Sequence, residues 1–407
     1  MTTPKAPLHG IRVLDLSRVL AGPWAGQTLA DLGAEVIKVE RPGIGDDTRA
    51  WGPPFLPDAS SPGNRGESAY YLSANRGKKS ATIDFAKPGG QALIKRLAAQ
   101  SDILLENFKQ GGLTTLGLGP EQLLTLNPRL IYCSITGFGQ TGPYAARAGY
   151  DFLMQGMGGL MSLTGEPTGE PMKVGVAVTD VFTGLYATTA ILAALNERHT
   201  SGLGQHIDIA LFDVQIATLA NQISSYLVSG AQPPRFGNAH PSIVPYQVFK
   251  SLDGYAILAI GNDDQFRRFC AIAGAPELAE NPDYATNPAR VKHRDSLVPL
   301  LQAIMQTRST AQWICELEPA AVPCGPINQL PDLDTHAQVA ARNIFKTIPH
   351  PSGGTMRTVA SPLRFSRSPT HDNTAPPLLG EHTREILNRQ LNATEAELAA
   401  WHRDGII

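Results

Sequence analysis

The chain has 407 residues, a formal net charge of −2 and only 17% charged residues. It is long enough for about two domains and carries no global basic field for nucleic acid or an anionic membrane. Four cysteines (Cys133, Cys270, Cys315 and Cys324) form no CxxC pair and have no histidine cluster beside them, which argues against a zinc or disulfide framework and for reduced thiols in the cytoplasm.

The N-terminal MTTPKAPLHG has no apolar signal core, and no apolar run approaches the roughly 18 residues of a membrane span. From Ile11 the chain alternates strand and helix. Ile11–Ser17 reads as a buried strand, Gly22 to Leu32 as a helix stopped by Gly33, and Ala34–Glu40 as a second strand. This βαβ unit predicts a parallel sheet with helices on its faces. The pattern repeats through a strand at Ala81–Phe85, a helix at Gly90–Ala99, a strand at Asp102–Glu106, a helix at Pro120–Leu126 and a strand at Arg129–Ile135. Helices are predicted over Tyr150–Leu163, Val181–His199 and Phe212–Val228.

At Gln232-Pro233-Pro234 the texture changes. Tyr246–Lys250 and Tyr255–Ile260 flank Asp253-Gly254, a hairpin signal, and helices follow to about Glu318. Residues 230–325 therefore read as a smaller α+β domain between a larger N-terminal part, 1–229, and a C-terminal part, 326–407. The last part contains a strand at Met356–Ala360 and a helix at Thr383–Leu391.

Several local patterns carry chemistry. Gly137-Phe138-Gly139-Gln140-Thr141-Gly142 matches GxGxxG after a strand, but Pro143 and Arg147-Ala148-Gly149 follow it in loop-like context, so it reads as a glycine-rich turn rather than a dinucleotide fingerprint. Arg18 and Arg41 stand just beyond the C-terminal ends of the first two strands, where open α/β sheets bind ligands. Their guanidinium groups suit phosphates. Arg76, Lys78 and Lys79 precede a strand and so lie nearer the opposite edge. Asp180 sits between an extended segment and a helix. Its bland role is a helix N-cap; its chemical one is an ionised carboxylate nucleophile at the positive end of a helix. Asp151 opens a helix after Tyr150, and Gly237-Asn238-Ala239-His240-Pro241 is a polar loop able to close over a ligand.

The ordered set DLSRVLAGP (15–23), GAEVIKVERPGIGDDTR (33–49), NRGKKS (75–80), ENF (106–108), GYD (149–151), GVAVTDVFTG (175–184), DGYAILAIGND (253–263), PCGP (323–326) and LLGEHT (378–383) resembles the class III coenzyme A transferases, the family of formyl-CoA transferase and the carnitine CoA-transferase. The resemblance runs from about residue 8 to the C-terminus. It implies an α/β fold: a Rossmann-like large domain built from both chain ends, a smaller inserted α+β domain, and two subunits threaded as interlocked rings.

It also implies roles. Asp180 would be the nucleophile that carries the acyl group. Arg18, Val19, Leu20 and Ala21 would contact coenzyme A, Arg41 would hold a phosphate, and Asn75, Arg76, Lys78, Lys79, Asn107 and Phe108 would add further contacts. Ala148, Tyr150 and Asp151 would lie beside the thioester, with Gly237, Asn238 and His240 in a loose counterpart of the substrate lid. Coenzyme A enters as a substrate; no tightly bound cofactor or metal is implied. Leu20 and Thr115 stand where formyl-CoA transferase has a glutamine and a cofactor-binding arginine, which turns the expected acids away from oxalate and formate. Similar members of the family use succinyl-CoA and a second dicarboxylate, which the resemblance implies here, with Arg235 and His240 as partners for a distal carboxylate. The α-methylacyl-CoA racemases share the fold, but Tyr150 and Asn262-Asp263 replace their histidine and glutamate; a phenol with an ordinary pKa of about 10 is a poor base. A CoA-binding module without activity is the remaining alternative, which the intact Asp180 disfavours.

Overall fold

The computed structural model describes residues 4–59 and 65–407. The chain forms two compact units, one of Met1–Leu160, Val174–Ser224 and Ala340–Ile407, the other of Met161–Lys173 and Ser225–Val339. The sequence reading placed the divisions at 229 and 325. Met161–Lys173 joins the second unit because Gly237 N donates to Gly165 O at 3.1 Å and the Arg235 guanidinium donates to the carbonyls of Glu166 and Gly169. These partners lie about seventy residues apart, beyond what local pattern shows.

The first unit is built on a six-stranded sheet. Its strands are β1 (Arg12–Asp15) and β2 (Glu35–Glu40), then, after a small antiparallel ribbon of β3 (Phe55–Pro57) and β4 (Arg65–Ser68), β5 (Lys79–Thr82), β6 (Ile103–Glu106), β7 (Ile131–Thr136) and β8 (His206–Ala210). The order is β5-β2-β1-β6-β7-β8, and every neighbouring pair is parallel. From β1 the chain steps outward through β2 to β5, returns to the centre as β6, and steps outward the other way through β7 to β8. The strand order thus reverses between β1 and β6, and in such sheets the crevice outside the carboxyl ends of those two strands is the ligand site.

Alternation along the buried strands builds two cores. Leu14, Ile37, Val39 and Leu104 face the helix Pro88–Ala98 and, from the other end of the chain, Ile386, Leu387 and Leu391 of the helix Thr383–Leu391. Val13, Val36, Leu105 and Ile131 face the helices Ala21–Asp31 and Val178–Ser201. Burial on both faces is why these strands read as continuous apolar runs rather than alternating ones.

Three helices differ from expectation. Tyr150–Leu163 is the helix Asp151–Met157 followed by a short turn at Leu160–Ser162. Phe212–Val228 breaks into Leu211–Ala217 and Ala220–Ser229, with Ala220 at φ 48°. The helix placed at Val181 begins at Val178 and runs 24 residues to Ser201. By length and composition that helix is apolar enough to cross a membrane, against the sequence expectation. Here Thr183, Ala187, Ile191 and Ala194 are buried against Ala21–Asp31 and the sheet. Gly184 permits the approach, since a Cβ there would lie 2.7 Å from the Ala21 carbonyl oxygen.

In the second unit β9 (Tyr246–Lys250), β10 (Tyr255–Ala259) and β11 (Cys324–Pro326) form an antiparallel sheet in the order β11-β10-β9. Ser251 N bonds to Gly254 O across the predicted Asp253-Gly254 turn. Phe249, Leu258, Phe266, Leu297 and Trp313 make its core. β12 (Phe345–Pro349) and β13 (Thr355–Val359) pair as a ribbon in the first unit.

Candidate active site

At the switch point Asn107, just beyond β6, ties the two strand ends together. Arg18 N donates to Asn107 Oδ1 at 2.8 Å and Asn107 Nδ2 donates back to Arg18 O at 2.7 Å. A cavity of about 420 Å³ opens over this bridge. One wall is Arg18, Val19, Leu20 and Ala21; Asn107, Phe108, Lys109 and Gln110 adjoin it, and Gly137, Arg147, Ala148, Tyr150 and Asp180 are among the other lining groups. Leu20 caps the helix Ala21–Asp31 with no side-chain hydrogen bond, and no acidic residue stands in its first turn. Pro23 has no N–H and Trp24 N bonds to Leu20 O, so the amides of Ala21 and Gly22 are the ones left for an anionic ligand. Val19 holds φ at 71°, a conformation that costs a β-branched residue about 1–3 kcal/mol. Arg18 pairs with Asp47 at 2.9 Å and lies 5.3 Å from the centre of the Phe108 ring.

Asp180 does not cap its helix. Ala177 is the N-cap, and Asp180 is the acidic residue of the first turn. The capping carboxylate comes from Asp151, whose Oδ1 accepts from Thr179 N at 2.8 Å and Asp180 N at 3.4 Å, while its Oδ2 accepts from Gln155 Nε2 at 2.7 Å. The bland role proposed for Asp180 is thus filled by another residue. Asp180 is 9% exposed. Burial, then the Asp151 charge, pushes its carboxyl up to about 7. The expectation that the helix dipole keeps it firmly ionised is corrected, because desolvation and a like charge both oppose ionisation. Tyr70 feels the same charges. Burial, then Asp180 and Asp151, raises its phenol to about 12, so it stays a protonated donor near both carboxylates. Trp51 meets its ring edge-on at 5.3 Å.

Arg41 lines a second cavity, of about 350 Å³, which shares Arg18, Asp47, Phe85 and Phe108 with the first. Asn75, Arg76 and Lys78 do not reach either cavity. Lys78 Nζ is fully buried and donates to Asp15 Oδ2 at 2.9 Å and Asn75 Oδ1 at 3.0 Å. Arg76 grips Asp31 at 2.6 Å. Lys79 pairs with Glu385 at 2.5 Å on β5. The charges of Arg76 and Lys78 are spent inside the fold, and Lys79 lies in a surface ion pair away from both cavities, which corrects the expectation of direct ligand contact.

Gly237, Asn238 and His240 belong to the second unit. His240 packs against Tyr246 with ring centres 5.4 Å apart and the rings tilted by 58°, and accepts from Ser242 N. Arg235 is engaged by the Glu166 and Gly169 carbonyls, so its guanidinium is not the free cation expected for a distal carboxylate. The GxGxxG segment is a turn, with Gly139 at φ 84° and Gly142 at φ 88°. Gln140 N bonds to Asp208, and Gly137 packs so closely on Gly149 that a Cβ would fall 2.7 Å from its Cα. No metal-ligating cluster occurs among the described residues.

A cavity at the switch point, lined by an uncapped helix N-terminus and an unpaired carboxyl, is what an acyl-CoA reaction at a side-chain carboxylate requires. The family model described as CoA-transferase family III matches residues 8–383. The chain belongs to CoA-transferase family III. As a member of that family it is an enzyme that transfers coenzyme A.

It is 51% identical over 387 residues to a succinate–glutarate CoA-transferase of Agrobacterium fabrum, covering 95% of this chain and 96% of that protein. It is 43% identical over 401 residues to the human succinyl-CoA:glutarate CoA-transferase, covering 98% and 90%. Its fold matches the crystal structure of a CAIB/BAIF family protein from Brucella suis with a TM-score of 0.84 at 49% identity, covering 95% of this chain and all of that one. Sequence reasoning missed several lining groups of this CoA-transferase, Asp47, Phe85, Lys109 and Arg147, and also Tyr70, which feels the charges of Asp180 and Asp151. Asp47 lies within a quoted motif, GDDTR, and the sequence signal for it was present.

Proposed function

We propose that this CoA-transferase moves coenzyme A from succinyl-CoA to a second dicarboxylate, with glutarate the first candidate, through covalent intermediates on Asp180. The observation that carries the reading is Asp180 itself: a carboxyl in the switch-point cavity, relieved of capping by Asp151 and without a cation to stabilise its charge. The strong likeness to the Agrobacterium, mouse and human succinate–glutarate enzymes supports the choice of acids.

The ionised Asp180 attacks the thioester carbonyl, forming a mixed anhydride and releasing CoA thiolate. The thiolate attacks the aspartyl carbonyl of the anhydride, giving an aspartyl-CoA thioester and the free donor acid. The acceptor carboxylate attacks that thioester, and the thiolate returns to the acceptor carbonyl, leaving acceptor-CoA and Asp180. Atoms and charge balance with a carboxylate, a thioester and a thiolate alone. The Ala21 and Gly22 amides at the N-terminus of Ala21–Asp31 are donors suited to anionic groups formed here. Water must be kept out, since it hydrolyses every intermediate.

The working unit in this reading is an interlocked homodimer of Rossmann-like large domains built from both chain ends, acting in the cytoplasm. Phe182, Leu185 and Tyr186 of the Asp180 helix, with Tyr150, Phe152 and Leu153 beside it, are exposed in the single chain and suit cover by a second copy. Four free cysteines suit a reducing compartment. A racemase reading gains nothing: Asn262 caps a helix through Gln265 N, and Asp263 is bound to Arg290 at 2.8 Å.

A matrix of acyl-CoA donors against acid acceptors, read by mass, tests the proposal. Succinyl-CoA with glutarate should give the highest kcat/KM, and no α-deuterium should enter a 2-methylacyl-CoA in D₂O. Preference for formate, oxalate or monocarboxylates, or rapid deuterium exchange, would overturn it.

A further inference from the structure

The first wall of the cavity rests on a buried ionic scaffold that none of the steps above uses. Lys38 and Asp46 are both fully desolvated and paired at 2.8 Å. Lys38 Nζ also donates to Ser17 O at 2.8 Å, one residue before Arg18. Asp46 Oδ1 accepts from Val19 N at 3.3 Å and from Thr48 N and Oγ1 at 3.0 and 2.8 Å. One ion pair therefore grips the turn on both sides of Arg18, at the carbonyl of Ser17 and the amide of Val19. Val19 is the residue that needs gripping: its φ of 71° lies in the region that favours glycine.

We propose that Asp46, oriented by Lys38, is a positioning residue of the acyl-CoA site: it holds Val19 in the left-handed conformation and so sets the wall formed by Arg18, Val19, Leu20 and Ala21. This rests on reading the cavity as the acyl-CoA site. Asp46 stays ionised for the purpose. Burial pushes its carboxyl up, but the Lys38 charge and the bonds from Lys38 and Thr48 outweigh that and hold it at about 2. The adjacent Asp47 fastens Arg18 itself, so two consecutive aspartates serve two consecutive loop residues.

The test is a double-mutant cycle between Asp46→Asn and Val19→Gly, assayed with succinyl-CoA and glutarate on the purified full-length enzyme. Asp46→Asn should raise the KM for the acyl-CoA about tenfold, the lower end of what a strained left-handed residue costs, while the KM for the acid changes less than about twofold. Adding Val19→Gly, which tolerates the conformation unaided, should recover at least about threefold of that loss. If Asp46→Asn does not fold, the neutral pair Lys38→Met with Asp46→Leu, of a kind that buried ion pairs often tolerate, should show the same acyl-CoA effect and the same rescue. A purely structural role would lower the melting temperature and the active fraction, leave KM unchanged and show no coupling to Val19; that outcome overturns the proposal. Failure of the wild-type enzyme to turn over acyl-CoA at all would instead overturn the reading of the site.

Discussion

Replacing Asp180 with Asn should abolish transfer and at the same time stabilise the protein, by an amount that grows with pH. Burial, then the Asp151 charge, raises the Asp180 carboxyl from 3.8 to about 7. For a group whose folded pKa is raised, the stability is fully present below the unfolded value and is lost as pH rises through the folded one. The window is therefore pH 3.8 to about 7. At about 1.4 kcal/mol per unit, the carboxyl costs the fold about 2 kcal/mol at pH 5 and about 4 kcal/mol at pH 8. Asn keeps nearly the same shape and cannot ionise. Local relaxation reduces the gain, and about 2 kcal/mol at pH 8 is a conservative expectation, or roughly 2–4 °C in Tm for a chain of this size. Thermal unfolding of both proteins at pH 5 and pH 8 measures it. The same assignment requires wild-type kcat/KM to rise with pH along a single limb near 7, because only the ionised carboxyl attacks. A Tm difference that is flat from pH 5 to pH 8, or near-normal turnover by Asp180→Asn, would refute the reasoning.

Two further substitutions separate ligand contacts from scaffold. Arg41→Ala should raise the KM of every CoA ester by a similar factor, equivalent to about 1.5–3 kcal/mol for a charge-assisted bond; an effect confined to one acyl-CoA would remove the phosphate role. Lys78→Met removes the ion-pair partner of the buried Asp15, leaving Lys38 and the Ser17 bonds to hold its charge, and should destabilise the protein by about 3 kcal/mol in thermal or urea unfolding. A KM effect with unchanged stability would return Lys78 to the ligand.

Five of the six strands were legible because the central ones are buried on both faces and separated by helices, so the period changes sharply from element to element; the edge strand β8, His206–Ala210, is only partly buried and was not read from the sequence. Arg18 was legible for a topological reason: it follows a strand, and sequential βαβ units place such ends at one edge. Val19 to Ala21 and Asn107-Phe108 were expected only from the resemblance to the CoA-transferases. What local pattern does not contain is the choice of partner. Asp151 caps the Asp180 helix from 28 residues away through Thr179, and nothing near Asp180 announces it. Arg76 and Lys78 look like ligand cations until the fold brings Asp31 and Asp15 against them. The transfer of Met161–Lys173 to the second unit depends on Arg235 and Gly237 meeting it through backbone carbonyls, and a sequence does not display its carbonyls.

The carboxylates at this edge of the sheet divide by whether a cation stands beside them. Burial pushes all of them up. At Asp15 the charges of Lys78 and Lys38 reverse the push, at Glu40 Arg49 does, and at Asp46 Lys38 does, so these three remain ionised anchors. Asp180 has burial and Asp151 acting in one direction and no cation to answer them. A buried ion pair contributes little net stability compared with apolar residues of the same volume, so the scaffold is better understood through what it fixes. It holds the turn at Arg18 and Val19 against the strain in Val19. An anchor is useful only when its charge is satisfied, and a nucleophile only when its charge is not. The sequence places both kinds of carboxyl around one crevice, and the difference between them is the position of two lysines and an arginine. Moving a cation next to Asp180 would stabilise the fold and quench the nucleophile together, which is why stability and activity at this residue are expected to run in opposite directions.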